Sequence, residues 1–187
     1  MTTLESLTAR PDFVAGTWKL DATHSTIAFT VKHLAISKVR GTFETFDVTL
    51  VTAPDGTHSV EATIDVASVN TNQAQRDAHL RTSDFFLVDE HPTATFRSTD
   101  GTWDGDEFTI VGDLTLRGVT KQIELRGELG GVTVDPSGTT KAGASATTTI
   151  NRHDFGVSWN AALEAGGLTL GDEVKIDIDI QVARQAD

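Results

Sequence analysis

Six histidines, a knot of arginines and a few neighbouring carboxylates are the residues of this chain that could do chemistry. His24, His33, His58, His79, His91 and His153 fall in none of the tight H-x-H, H-x-x-x-H or H-E-x-x-H spacings, and there is no cysteine. Zinc-type sites need several such ligands at set spacings, so no metal site is expected. The absence of cysteine also removes disulfides and thiolate catalysis. A nucleophile elbow and a Gly-rich phosphate loop are missing as well. Asp84, Asp89 and Glu90 lie close together, but near a helix end and a turn, where solvated carboxylates are ordinary. Catalytic groups can assemble from distant positions, so an enzyme stays open as an alternative, with His33, His79 and Asp77 as the polar residues to weigh.

The densest polar cluster is Arg76-Asp77-Ala78-His79-Leu80-Arg81. On a helix Asp77 and Arg81 share a face, as do Arg76 and Leu80. Two readings follow. The helix is held to its scaffold by ion pairs and capping, or Arg76, His79 and Arg81 guard an opening and meet a polar headgroup there. Lys38 and Arg40 are further headgroup candidates, and a guanidinium suits phosphate or pyrophosphate. The formal net charge of −12, with a pI near 4.8, excludes nucleic acid as a partner. It also opposes tight association with anionic lipid headgroups, and its plain effect is solubility.

What must position these residues is a set of β-strands. At 187 residues the chain suits one domain with a substantial core. No apolar run reaches the length of a membrane-spanning helix, so no stable membrane insertion is expected. Residues 1–16 show no periodicity and read as an N-terminal leader; residues 17–187 read as the folded domain. Ile27, Phe29, Val31 and His33 share one face of a period-two run that Val39, Gly41 and Phe43 continue. Phe46, Val48 and Leu50 then appear on the opposite parity, which a β-bulge beside Thr45 would produce. Val60, Ala62, Ile64 and Val66 form a third run. Asn72–Arg81 breaks alternation and reads as one short helix.

Alternation resumes at Thr93–Ser98. Phe108 to Leu116 and Val119 to Leu129 read as a hairpin turning on Arg117-Gly118. Ala144 to Ile150, then Val174 to Val182, complete the pattern, with a loop over an end at Asn160–Gly167. His58 reads as part of a polar turn. Eight such strands leave exposed edges unless the sheet closes, and eight is the count at which a barrel can be filled by side chains or admit one ligand. The fold class is therefore all-β: an eight-stranded antiparallel barrel with one short helix between strands 3 and 4, a β-sandwich being the alternative. The inward small residues Gly41, Ala62, Gly112, Ala144 and Ala146 suggest free volume inside, against the competing picture of a barrel packed solid with phenylalanine.

In several blocks of fixed order the chain resembles the YceI-like proteins, a polyisoprenoid-binding, lipocalin-like family. The resemblance runs from about Trp18 to Val182. It rests on Leu20-Asp21-Ala22-Thr23-His24-Ser25, Phe29-Thr30-Val31-Lys32-His33-Leu34, Gly41-Thr42-Phe43 and Arg76 through Phe86. Pro92 through Phe96, Gly112 through Lys121, and Asn151-Arg152-His153-Asp154-Phe155-Gly156 complete it. It implies an extended barrel around a long pore that holds an isoprenoid quinone or a polyprenyl phosphate or pyrophosphate without turnover, in a homodimer, with no other cofactor. On that reading the tail is lined by Ile27, Phe29, Val31, Phe43, Phe46, Val48, Ile64, Phe85, Phe86, Phe96, Leu114, Ile123, Ala146 and Phe155. Many relatives are exported, whereas no secretory signal is visible in residues 1–16, so a cytoplasmic location is expected. A structural or interaction barrel without ligand is the remaining alternative.

Overall fold

A computed structural model of the chain describes residues 14–164 and 166–186. Most of the expected leader, residues 1–13, lies outside the described residues. The first strand, β1 (Gly16–Leu20), begins within one residue of the expected domain start.

Among the described residues, eleven strands form one antiparallel sheet. After β1 come β2 (Thr26–His33), β3 (Ser37–Phe43), β4 (Phe46–Thr52) and β5 (His58–Asp65). A two-residue β6 (Val69–Asn70) precedes the helix α1 (Ala74–Leu80). The long strands β7 (Thr93–Asp104), β8 (Glu107–Leu116), β9 (Val119–Val134), β10 (Thr140–Asn151) and β11 (Leu170–Arg184) follow. β1 and β2 both lie along β11, interrupted only by residues 21–25. β3 and β4 pair with β2 and β1 in turn, interrupted at Glu44-Thr45. Each couple is therefore one broken stave. With β5, β7, β8, β9, β10 and β11 they make the eight staves of a closed barrel. The break at Glu44-Thr45 is where the parity switch in the sequence placed a bulge.

Closure depends on β1, which pairs with β4 on one side and β11 on the other. Trp18 at its centre is fully buried, its indole donating to Thr52 Oγ1 at 3.2 Å. It packs with Ala142 and Val182 and closes one end of the interior. Outside that end Asp21 gathers three side chains: Lys141 Nζ at 3.0 Å, Gln181 Nε2 at 3.0 Å and His24 Nδ1 at 3.2 Å. These partners, Lys141 first and then His24, hold the Asp21 carboxyl down at about 2.

The opposite end carries α1 and the loops. The helix occupies Ala74–Leu80, shorter than the expected Asn72–Arg81, because Asn72 sits at φ 59° and Gln73 is the N-cap, its side chain accepting from the Arg76 N–H. The Arg117-Gly118 turn forms as expected, with both residues at positive φ (52° and 73°). His58 is not in a turn: it opens β5, pairs with Thr52 and meets Trp103 edge-on at 6.4 Å.

The small inward residues divide into two groups. Ala62, Ala144 and Ala146 border open interior space. Gly41 and Gly112 do not, because phenylalanine rings lie on them. A Cβ at Gly41 would fall 2.5 Å from Phe29 Cζ and 2.9 Å from Thr71 Cγ2, and one at Gly112 would overlap the Phe96 ring. Gly127 seats Phe108 in the same way. The glycines thus let the rings lie flat against the wall.

Two outcomes are expected. Gly41→Ala and Gly112→Ala overpack these seats and cost about 1–3 kcal/mol, read as a lowered denaturation midpoint; unchanged midpoints would sink the seat reading. The Asp21 carboxyl sits below its ordinary 3.8 in the folded state. Its contribution is therefore present above pH 4 and lost as pH falls towards 2. Asp21→Asn should flatten the stability–pH curve in that window, as measured by urea unfolding between pH 2 and 5.

Candidate binding cavity

Strand alternation sends one residue in two inward, and the inward set encloses a cavity of about 490 Å³. Ligand pockets run from roughly 300 to 1,000 Å³. Leu50 and Val182 bound the cavity near Trp18; His33, His79 and Trp159 bound it at the α1 end. Between them the wall is almost wholly aliphatic and aromatic. Twelve of the fourteen tail candidates line it; Phe46 and Phe155 do not. Phe46 packs against the Ile27–Ile64 cluster at the start of β4, beside the break at Glu44-Thr45. Phe155, only 1% exposed, is sunk in the core beneath a 3-10 turn, Arg152–Phe155.

The polar candidates separate more sharply. Arg76 and His79 line the cavity. Lys38 and Arg40 do not: Val39 between them faces inward, so the period of two turns both cations to the outer surface, where they are exposed. Arg81 also stands away from the cavity, its guanidinium donating to the carbonyls of Ala67 (2.8 Å) and Val69 (3.3 Å). The helix is secured by hydrogen bonds, and among the described residues Asp77 and Arg81 form no ion pair. Buried Asp77 accepts from Thr71 N (2.9 Å) and Thr71 Oγ1 (2.6 Å), while Arg76 donates to Thr71 Oγ1 and to its carbonyl. This arrangement withdraws Asp77 from the cavity.

At the α1 end a polar pair sits inside an aromatic frame. His79 Nε2 lies 2.7 Å from Asp84 Oδ2, with the ring edge-on to Phe85 and Trp159, each at 5.0 Å. Phe85 and Trp159 are themselves 5.3 Å apart. Trp159 is held by Arg152, whose Nη1 donates to the carbonyls of Val157 (2.9 Å) and Trp159 (2.8 Å) and whose Nε donates to Gly171 O (2.8 Å). Burial pulls the Arg152 guanidinium below its ordinary value, against the opposing pull of Asp172. Arg117 ties the two sides of the frame together, donating to Ser83 O (2.8 Å) and Gly156 O (3.0 Å).

Sequence reasoning did not single out Trp159, the pairing of Asp84 with His79, or the anchoring role of Arg152. Asp84 is five residues beyond His79, past the helix end, so helical spacing could not pair them. Trp159 stands in a segment without period; its place just after Asn151–Gly156 was the only signal available. Among the described residues no three metal-type side chains converge and no helix is long and apolar enough to cross a membrane.

Comparison with known proteins agrees with this geometry. The family profile described as YceI-like domain matches residues 18–182. UPF0312 protein SA2479 of Staphylococcus aureus is 39% identical over 160 residues, covering 84% of this chain and 91% of its own. The YCEI protein of Campylobacter jejuni superposes with a TM-score of 0.70 at 28% identity, covering 100% of this chain and 99% of that one. Two more distant structures share the fold: BcnA of Burkholderia cenocepacia (TM-score 0.75, 21% identity, 87% and 98% covered) and a polyisoprenoid binding domain from Saccharophagus degradans (0.68, 19%, 90% and 98%).

The Arg117 strap yields a local expectation. Arg117→Ala should raise amide exchange in residues 82–87 and 156–159 while leaving β8–β11 protected, at a cost of roughly 1–2 kcal/mol for the charged hydrogen bonds. Uniform loss of protection across the barrel would contradict this.

Proposed function

Because the chain belongs to the YceI-like family, we propose that it binds and carries, or stores, a long-chain isoprenoid lipid in its barrel without turning it over. The observation that carries the proposal is the continuous, largely apolar cavity, whose arginine and histidine lining residues gather at the α1 end. Each buried CH₂ contributes ~0.8 kcal/mol, so a dozen shielded carbons represent on the order of 10 kcal/mol before binding costs. Such a tail needs few polar contacts for affinity. The headgroup, a phosphate, pyrophosphate or quinone ring, sits beside Arg76 and His79. Two of the Arg76 nitrogens are committed to Thr71, which fixes the guanidinium plane and leaves Nη1 for a ligand oxygen. The Saccharophagus degradans neighbour, a polyisoprenoid binding domain, supports this ligand class.

The His79–Asp84 pair favours one second reading, an enzyme acting on the same lipid. The two readings part in one variant: His79→Ala should weaken lipid retention, whereas loss of turnover with retention intact would establish the enzyme.

Organic extraction of protein purified from its native source, followed by mass spectrometry, should yield a long-chain isoprenoid. Repeatedly empty extracts would overturn the proposal. Ala146→Phe places a ring in the cavity and should abolish retention while the protein still unfolds cooperatively; retention at the original level would show that the lipid lies elsewhere.

A further inference from the structure

The β2–β3 hairpin stands beside the cavity opening and differs from the rest of the surface in charge. From Ala22 to Phe43 the sequence has no Asp or Glu, although the chain carries 27. On the outer face of the hairpin Lys32 lies directly opposite Lys38, and Arg40 follows two residues on. All three are exposed, and none forms an ion pair among the described residues. Like charges placed opposite one another on a sheet are unfavourable. On the adjoining β11 edge Asp172 is already engaged by His153 at 2.8 Å, and Glu173 is exposed.

The tip is apolar. Leu34 and Ala35 both adopt positive φ (54° and 58°), closing the turn through Ile36 N to His33 O at 3.3 Å. Non-glycine residues enter this region only at a cost, because Cβ crowds the following carbonyl. The turn holds Ile36 out at 87% exposure. Leu34 N donates to Thr169 O at 2.8 Å, which pins the tip to a second loop whose Leu168 is 55% exposed. His33, Thr169 and Leu170, at the bases of these two loops, line the cavity.

We infer that this hairpin and the loop pinned to it, with Ile36 and Leu168 at their apolar tips and Lys32, Lys38 and Arg40 behind, dock the α1 end of the barrel onto an anionic lipid bilayer for cargo exchange. The function given to the docking rests on the lipid-carrier reading: an isoprenoid tail crosses water only at the cost its burial recovers, so transfer needs contact between cavity and membrane. Interfacial side chains with cations behind them suit a surface of anionic headgroups. The chain as a whole carries a net charge of −12, so the surface outside this cationic hairpin is strongly acidic; that asymmetry orients the molecule and keeps docking reversible and confined to this face. A second copy of the chain fits worse, because a two-fold contact through the tips would bring the same cations together.

The test is co-sedimentation of the full chain with vesicles of phosphatidylcholine alone and of phosphatidylcholine with phosphatidylglycerol. Binding should be confined largely to the anionic vesicles and fall with added salt. Ile36→Ser and Leu168→Ser should each weaken it several-fold. Lys38→Glu with Arg40→Glu should weaken it by tenfold or more, since each cation near such a surface contributes about a fivefold factor. Equal binding to both vesicle types, no binding, or variants indistinguishable from wild type would overturn the inference. So would sedimentation showing that Ile36→Ser dissociates a dimer while vesicle binding persists. Retained lipid is measured on the same samples. Normal retention without vesicle binding sinks the docking alone; vesicle binding without retained lipid upholds the docking and sinks the carrier.

Discussion

A barrel that keeps open space inside cannot rely on a filled core, so it depends on the seam that closes its sheet. Here the seam is the five-residue strand around Trp18, hydrogen-bonded to β4 and β11 together. Its stability comes from one fully buried indole and from the polar network of Asp21 outside. Strength is concentrated at this end. The opposite end is left to hydrogen-bonded straps, those of Arg81, Arg117 and Arg152, which bind backbone carbonyls.

This division explains how much could be seen in the sequence. The staves were legible because alternation in runs such as Ile27–His33 and Val174–Val182 follows directly from the pleat. The change of parity at Thr45 was legible too, although the structure meets it with a break between β3 and β4 at Glu44-Thr45 and not with the expected bulge. Most strand residues that line the cavity came with the same signal, since inward direction is a property of local backbone geometry. Phe155 escaped it because it lies in a 3-10 turn, where the period of two does not apply, whereas Phe46 keeps the inward parity of Val48 and Leu50 but packs into the Ile27–Ile64 cluster and not against the open space.

The polar groups were harder because their positions depend on contacts far apart in the chain. Lys38 and Arg40 were weighed by charge, but their direction is set by the parity of Val39 between them. Arg152 drew no separate expectation from the sequence, yet it is buried and donates to three carbonyls. Gly41 and Gly112 were read as space. A glycine without a side chain either leaves a void or admits a neighbour, and only the placement of Phe29 and Phe96 on adjacent staves decides which.

Those glycine seats bear on how such a barrel can change over generations. The ring and the glycine beneath it belong to different staves, and neither is suitable without the other. Enlarging the glycine drives the ring off the wall, while shrinking the ring exposes bare backbone to the lumen. Exchange at one site is therefore acceptable only when the other follows. The bore of the barrel is inherited in coupled pairs, while its outward residues are free to diverge one at a time.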